Sequence, residues 1–166
     1  MKKLTNFELM GAEALLSAIP MRALPGSAVA DVALALAVVA SYLRTFNTAV
    51  ADMANKLKPE GYDEKARQRM EKIKETFPDD GHPFDAEEWN RLCPDPDFEE
   101  VFQATEEAFT KAYNELGQKQ VDVKISLTTD TLAAVASTLA CEETVKVAQA
   151  DVPYETFMRQ LAMIAV

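Results

Sequence analysis

The chain has 166 residues, 48% of them apolar, and a formal net charge of −10; that is enough chain to bury a substantial core in one domain. The acidic balance repels a phosphate backbone and argues against nucleic acid as the partner. The scarcity of glycine, five in all, disfavours a turn-rich β architecture.

The charge is unevenly spread. Residues 1–58 carry a net +2, residues 59–100 a net −8 and residues 101–166 a net −4. The cysteines, Cys93 and Cys141, stand far apart and make no zinc or redox spacing, which fits a reducing cytosol. Lys2 and Lys3 are followed by no apolar run, so no secretory signal is expected.

Thr5 with Glu8 has the spacing of a capping box, which starts a first helix over Asn6–Ala18. Its apolar stripe is Phe7, Met10, Ala14 and Ala18, and Pro20 stops it. A short link with Pro25-Gly26 then leads to the most regular stretch, Ser27–Leu57, with Ser27 as the expected cap. There Val29, Val32, Leu36, Val39, Leu43, Phe46, Val50, Met53 and Leu57 recur at alternating steps of three and four. This heptad seam predicts one long helix with a packed face, either core or subunit interface. The first half, 28–40, is apolar almost all round apart from Asp31, which predicts burial all round. A membrane span is not expected, because Asp31 interrupts an apolar run shorter than the ~20 residues needed.

Lys58-Pro59-Glu60-Gly61 ends the long helix. Asp63 is the expected cap of a charged helix over 64–76 whose only large apolar residues are Met70 and Ile73. It reads as a solvated extension. A proline-rich loop follows over 77–97, with a short helix at 85–92 anchored by Trp89. Asp97 is expected to cap a helix over 98–116, with Phe98, Val101, Thr105, Ala108, Ala112 and Leu116 on one face. From residue 121 the period becomes two: Val121, Val123, Ile125 and Leu127 alternate with polar residues, as in a half-buried strand. Thr128 or Thr129 caps a helix over 130–139, and 144–149 reads as a second strand joined to the first in a βαβ unit. Asp151 is the expected cap of a last helix, which ends in the apolar run 161–166. The fold class is therefore mainly α. A long antiparallel helical hairpin, 1–57 with 98–116, forms the core of a single domain 1–166. Residues 58–97 are a charged insertion, and 117–166 a small C-terminal α+β part.

Little catalytic chemistry is encoded. The one histidine, His82, lies in a loop between Gly81 and Pro83, a setting for a structural role. No nucleophile elbow, phosphate loop or Cys-x-x-Cys occurs. Carboxylates are the abundant reactive type. Asp79, Asp80 and Asp85, with Glu87, Glu88, Asp95, Asp97, Glu99 and Glu100, are the candidates for a divalent cation. They also sit where helix caps and first turns are expected. Glu60-Gly61-Tyr62-Asp63 resembles one magnesium-binding pair of the all-helical nucleotide pyrophosphohydrolases, but it straddles a helix break. A divalent-metal-dependent all-α hydrolase acting on nucleotides through residues 79–100 is thus the alternative function.

The opening Lys3-Leu4-Thr5-Asn6, the Ala/Leu-rich first helix, the Leu24-Pro25 link and the long heptad helix resemble a group of small phage and prophage proteins. In those proteins a helical hairpin is followed by an alternating strand, like Val121-Asp122-Val123-Lys124-Ile125 here, and then a short capped helix. The similarity covers 3–57 and about 98–139. It implies a phage or prophage origin, a non-catalytic interaction or assembly role without a cofactor, and a homo-oligomer or a phage or host protein partner. That origin places the protein in the bacterial cytoplasm or in the virion; neither nucleic acid nor a membrane is expected as partner, on the acidic charge and the Asp31-interrupted apolar run.

Overall fold

The structure is a computed structural model, and it describes residues 1–78, 84–93 and 95–165. The fold is mainly α with a small α+β part. In chain order it contains β1 (Lys2–Thr5), α1 (Asn6–Ser17), a 3₁₀ turn (Met21–Ala23), α2 (Gly26–Leu57) and α3 (Tyr62–Thr76). Next come α4 (Ala86–Leu92), α5 (Pro96–Gln118), β2 (Gln120–Val123), α6 (Thr129–Thr138), β3 (Thr144–Val147), β4 (Ala150–Pro153) and α7 (Tyr154–Ile164). The chain divides into two compact units, 1–48 with 115–166, and 49–114. The second is wider than the charged insertion, because it takes the end of α2 and most of α5.

In the first unit, α1 starts as its capping box predicts. Thr5 Oγ1 accepts from the Glu8 amide at 3.1 Å and Glu8 Oε2 accepts from the Thr5 amide at 2.7 Å. Leu9, Leu16, Val32, Val39, Val135, Phe157 and Leu161 are shut off from solvent. Asn6 ties the first residues to the end of α5: its Nδ2 donates to the Leu116 carbonyl at 2.7 Å, and its amide to the Lys119 carbonyl at 3.2 Å. Two helix-terminal carbonyls are thereby satisfied. Asp31, the lone charge in the apolar half of α2, accepts the hydroxyls of Thr128 at 3.0 Å and Thr131 at 2.6 Å. Thr128 is also the N-cap of α6, so one carboxylate fixes where α6 begins.

The sheets differ from the expected βαβ unit. β2 pairs antiparallel with β1, in the register Lys2↔Val123 to Thr5↔Gln120, and β3 pairs antiparallel with β4 in a hairpin. The strands at 121–127 and 144–149 therefore have separate partners, since two parallel strands alone bury too little to persist. The alternation at 121–127 is a burial pattern more than a ladder. Val123, Ile125 and Leu127 are buried while Lys124 and Ser126 are exposed, yet pairing stops at Val123. Asp151 lies in β4 and Pro153 occupies the cap position of α7. The hairpin turn places Ala148 at φ 54°, a left-handed conformation that an L-alanine adopts at a cost.

The second unit is built on aromatic rings. Tyr62, Phe77, Trp89 and Phe98 are buried. Tyr62 stacks on Phe102 at 5.8 Å between centroids and tilts against Phe98 at 6.0 Å. The helix over 62–76 is not the solvated extension its charge suggests. Tyr62, Ala66, Arg69, Ile73 and Phe77 form a stripe that is buried or half-buried. Gly61, at φ 74°, precedes α3 in the cap position, and Asp63 sits inside the first turn, paired with Lys58 at 2.7 Å. α5 is capped by Asp95 rather than Asp97: Asp95 Oδ1 accepts from the Phe98 amide at 2.9 Å. Its packed face runs through Phe98, Phe102, Thr105 and Phe109, and Val101 is 43% exposed.

Candidate functional site

The densest concentration of chemistry among the described residues lies in the second unit, where α3, α4 and α5 meet. Arg69 projects from α3, Trp89 from α4 and Glu99 from the first turn of α5. The guanidinium grips the Glu99 carboxylate with two bonds, Nε to Oε2 at 2.7 Å and Nη2 to Oε1 at 2.6 Å. The two side chains are only 16% and 9% exposed. The guanidinium also lies over the Phe102 ring at 4.2 Å and near the Trp89 ring at 5.4 Å. This is the planar, bidentate and ring-stacked role that arginine fills and lysine does not.

The charges respond accordingly. Hydrogen bonds from Arg69 hold the Glu99 carboxyl below the usual carboxylate range, against the opposing pull of burial. The bond to Glu99 raises Arg69 in turn. Trp89 Nε1 is buried without a hydrogen bond of ordinary geometry, but it lies close enough to Glu99 to add a smaller downward pull. Cys93 is half-buried, its Sγ 4.0 Å from Glu99 Oε2. A small cavity of about 70 Å³ adjoins these groups. Both charges are closed on each other, so the cluster offers cohesion among three helices rather than a group free to exchange protons near neutrality.

A second polar feature sits at the other end of α3. Tyr62 Oη donates to Glu106 Oε1 at 3.0 Å, and its pKa is pushed up to about 12, first by burial and then by that bond. The hydroxyl therefore stays protonated and remains a donor.

The sequence candidates are distributed as follows. Of the seam, Val32, Val39, Leu43 and Phe46 are buried within their own chain, while Val29, Leu36, Val50, Met53 and Leu57 are half-buried. The helix is not buried all round: Ala30, Ala33, Leu34 and Ala37 are exposed, Leu34 at 63%. α2 is the one helix among the described residues long and apolar enough to cross a membrane, and 28% of its most apolar window is buried. Asp85 serves as the N-cap of α4, accepting from the Glu87 and Glu88 amides at 2.9 and 3.0 Å. Asp79, Asp80 and His82 lie outside the described residues, as does Val166 of the C-terminal run. Within that run Leu161 is buried and Met163 is 62% exposed. No group of three metal-ligating side chains occurs among the described residues. The Arg69–Glu99 pair escaped the sequence reading because its members are thirty positions apart: Arg69 looked like surface charge, and Glu99 like a cation ligand or a first-turn helix acid. The available signal was the stripe 62, 66, 69, 73, 77, in which an arginine stem stands in for an apolar residue. No family model, curated protein or solved structure matches the chain.

Proposed function

We propose that this protein is a non-catalytic interaction or assembly protein of phage or prophage origin, acting as a homo-oligomer or on a phage or host protein. The observation that carries the reading is the outer face of α2. A helix of mean hydropathy 1.8 over eighteen residues leaves Leu34, Ala30, Ala33 and Ala37 uncovered along one side, the kind of surface that a second helix covers. A core role for the opposite face supports placing the helix in a folded domain rather than in a bilayer. Val32 and Val39 are fully buried there, and Asp31 is held by two threonine hydroxyls. The acidic surface supports a protein partner over nucleic acid, in the host cytoplasm or the virion. The nucleotide-hydrolase alternative has little support from the carboxylates described: Asp85 caps a helix, Asp95 is committed to Lys65 at 2.7 Å, and Glu99 to Arg69.

Light scattering across a wide concentration range, with and without magnesium, tests the reading. A dimer or larger species insensitive to magnesium is expected. Leu34→Asp should dissociate it while leaving the far-ultraviolet circular dichroism unchanged, because Leu34 contributes little to its own core. Leu43→Asp or Phe46→Asp should instead unfold the chain. A wild-type protein that stays monomeric at all concentrations and melts higher with magnesium overturns the proposal in favour of the hydrolase.

A further inference from the structure

The seam of α2 ends in a place where its own unit does not finish covering it. Leu57 stands one full heptad after Val50 and two after the buried Leu43, yet it is only half-buried. Beside it is a cavity of about 250 Å³, walled by Ala54 and Leu57 of α2, Tyr62 of α3, and Thr105, Glu106 and Phe109 of α5. The ring walls are held in place, since Tyr62 stacks on Phe102 at 5.8 Å and Phe109 on Tyr113 at 6.1 Å.

Two charged groups reach the cavity, and they are not equivalent. Lys58 is neutralised by Asp63 at 2.7 Å. Glu106 is exposed and accepts the Tyr62 hydroxyl, and no cation pairs with it among the described residues. A carboxylate with spare lone pairs, set beside two aromatic rings and an aliphatic wall, is complementary to an organic cation with a short apolar body. Lys58 Nζ already lies over the Tyr62 ring at 5.9 Å, so the incoming ammonium meets the carboxylate while its body lies against Phe109 and the apolar floor. An organic anion meets like charge, and a neutral hydrocarbon leaves the carboxylate unused. The volume falls just under the roughly 300–1,000 Å³ of drug-sized pockets, so the occupant is a small molecule.

We propose that this cavity binds a small arylalkyl primary amine, with Glu106 as its counter-ion and Phe109 as its ring contact. The test titrates phenethylamine into the full chain, followed by proton–nitrogen correlation spectra and calorimetry. Saturable shifts centred on the Leu57, Thr105 and Phe109 amides are expected, with a dissociation constant in the millimolar range. Glu106→Gln, which still accepts the Tyr62 hydroxyl and keeps the fold, should weaken binding about fivefold, the scale of one semi-exposed charge pair. Ala54→Leu should abolish binding by filling the floor. Phenylacetate, with the same ring and the opposite charge, should not shift these amides. Nα-acetyl-lysinamide presents an amine without a ring and should bind more weakly; tighter binding than phenethylamine would overturn the small-molecule assignment in favour of a partner's lysine. Absence of saturable shifts at these amides, equal binding of phenylacetate, or an unchanged affinity in Glu106→Gln overturns the proposal.

Discussion

Two helical glycines should respond to the same substitution with opposite signs. Gly117 is buried near the end of α5, and a Cβ built on it falls on the ring of Phe7, inside the contact distance of Cζ, Cε1 and Cε2. Gly11 is exposed on α1, and a Cβ there meets nothing within 4 Å. Alanine is favoured over glycine in a helix interior by about 0.8–1 kcal/mol, so Gly11→Ala should stabilise by about that amount. At Gly117 the same gain is opposed by overpacking, which costs typically 1–3 kcal/mol when rings and backbone must shift. The Phe7 ring cannot stay where it is, since carbon atoms sit ~3.5–4.0 Å apart at rest. Its displacement also strains the Asn6 bonds to Leu116 and Lys119 next door. A net loss of about 1 kcal/mol follows, or a melting temperature lower by roughly 2–4 °C for a chain of this size. Thermal and urea unfolding followed by circular dichroism would measure both variants. Phe7→Ala removes the obstacle, so in that background Gly117→Ala should become stabilising. If Gly117→Ala raises the melting temperature as Gly11→Ala does, or if its sign does not change in the Phe7→Ala background, the close packing of Phe7 on α5 is wrong.

Glu99→Gln should cost about 3 kcal/mol in urea unfolding, the low end for breaking a buried pair, and Arg69→Met with Glu99→Leu should recover much of it. The Glu99 carboxyl is lowered on folding, so its contribution is complete above the unfolded value of about 4.3 and is lost as the pH falls through the lower folded value. The wild-type protein should therefore lose more stability than Glu99→Gln on acidification; parallel curves would refute this. Asp31→Ala removes the acceptor of two threonine hydroxyls and should destabilise by about 1.5–3 kcal/mol, with amide exchange in α6 accelerating first. Ala148→Gly relieves a positive φ and should stabilise by about 1 kcal/mol, whereas an unchanged urea midpoint would mean that the turn is not left-handed.

What the sequence made legible is what local chemistry decides. The Thr5–Glu8 capping box, the Asp85 cap and the anchoring role of Trp89 each depend on a few neighbouring residues and stand where they were read, and of the two candidate caps Thr128 and Thr129 the structure uses Thr128. The failures are non-local. β1 is four residues without a strong signal, made a strand only by the β2 edge that it meets. The hairpin at 144–153 has no Asn-Gly or Asp-Gly to announce it; Ala148 takes the strained position instead. The caps at 63, 97 and 151 were misplaced because an aspartate near a helix start is compatible with several registers. At the start of α5 Asp95 won, and at the start of α3 a glycine took the cap position. The Arg69–Glu99 cluster was invisible for a deeper reason. Charge type says nothing about burial until the partner is known, and the partner here is thirty residues away.

The long helix shows how a correct period can still misplace a face. A strict seven-residue repeat drifts by about 20° per heptad on a straight α-helix, so the nine seam positions cannot all face one way unless the helix supercoils around a partner. Along α2 the positions Val29 and Leu36 lie half-buried at one edge of the buried face, and Leu43 has drifted just far enough to be buried. Ala28 and Ala35, outside the heptad seam, are buried in their place. The outer alanines went wrong for a different reason. Alanine is common in helices because it forms them well, and it is common in cores because it is small, so an alanine-rich stretch predicts a helix much better than it predicts burial. Leu34 is the exception, because a leucine gains little from being left 63% exposed. Single exposed apolar side chains are ordinary on a protein surface, so the weight of the proposed interface rests on Leu34 together with Ala30, Ala33 and Ala37 as one continuous apolar side of α2, and Leu34→Asp is the substitution that tests it.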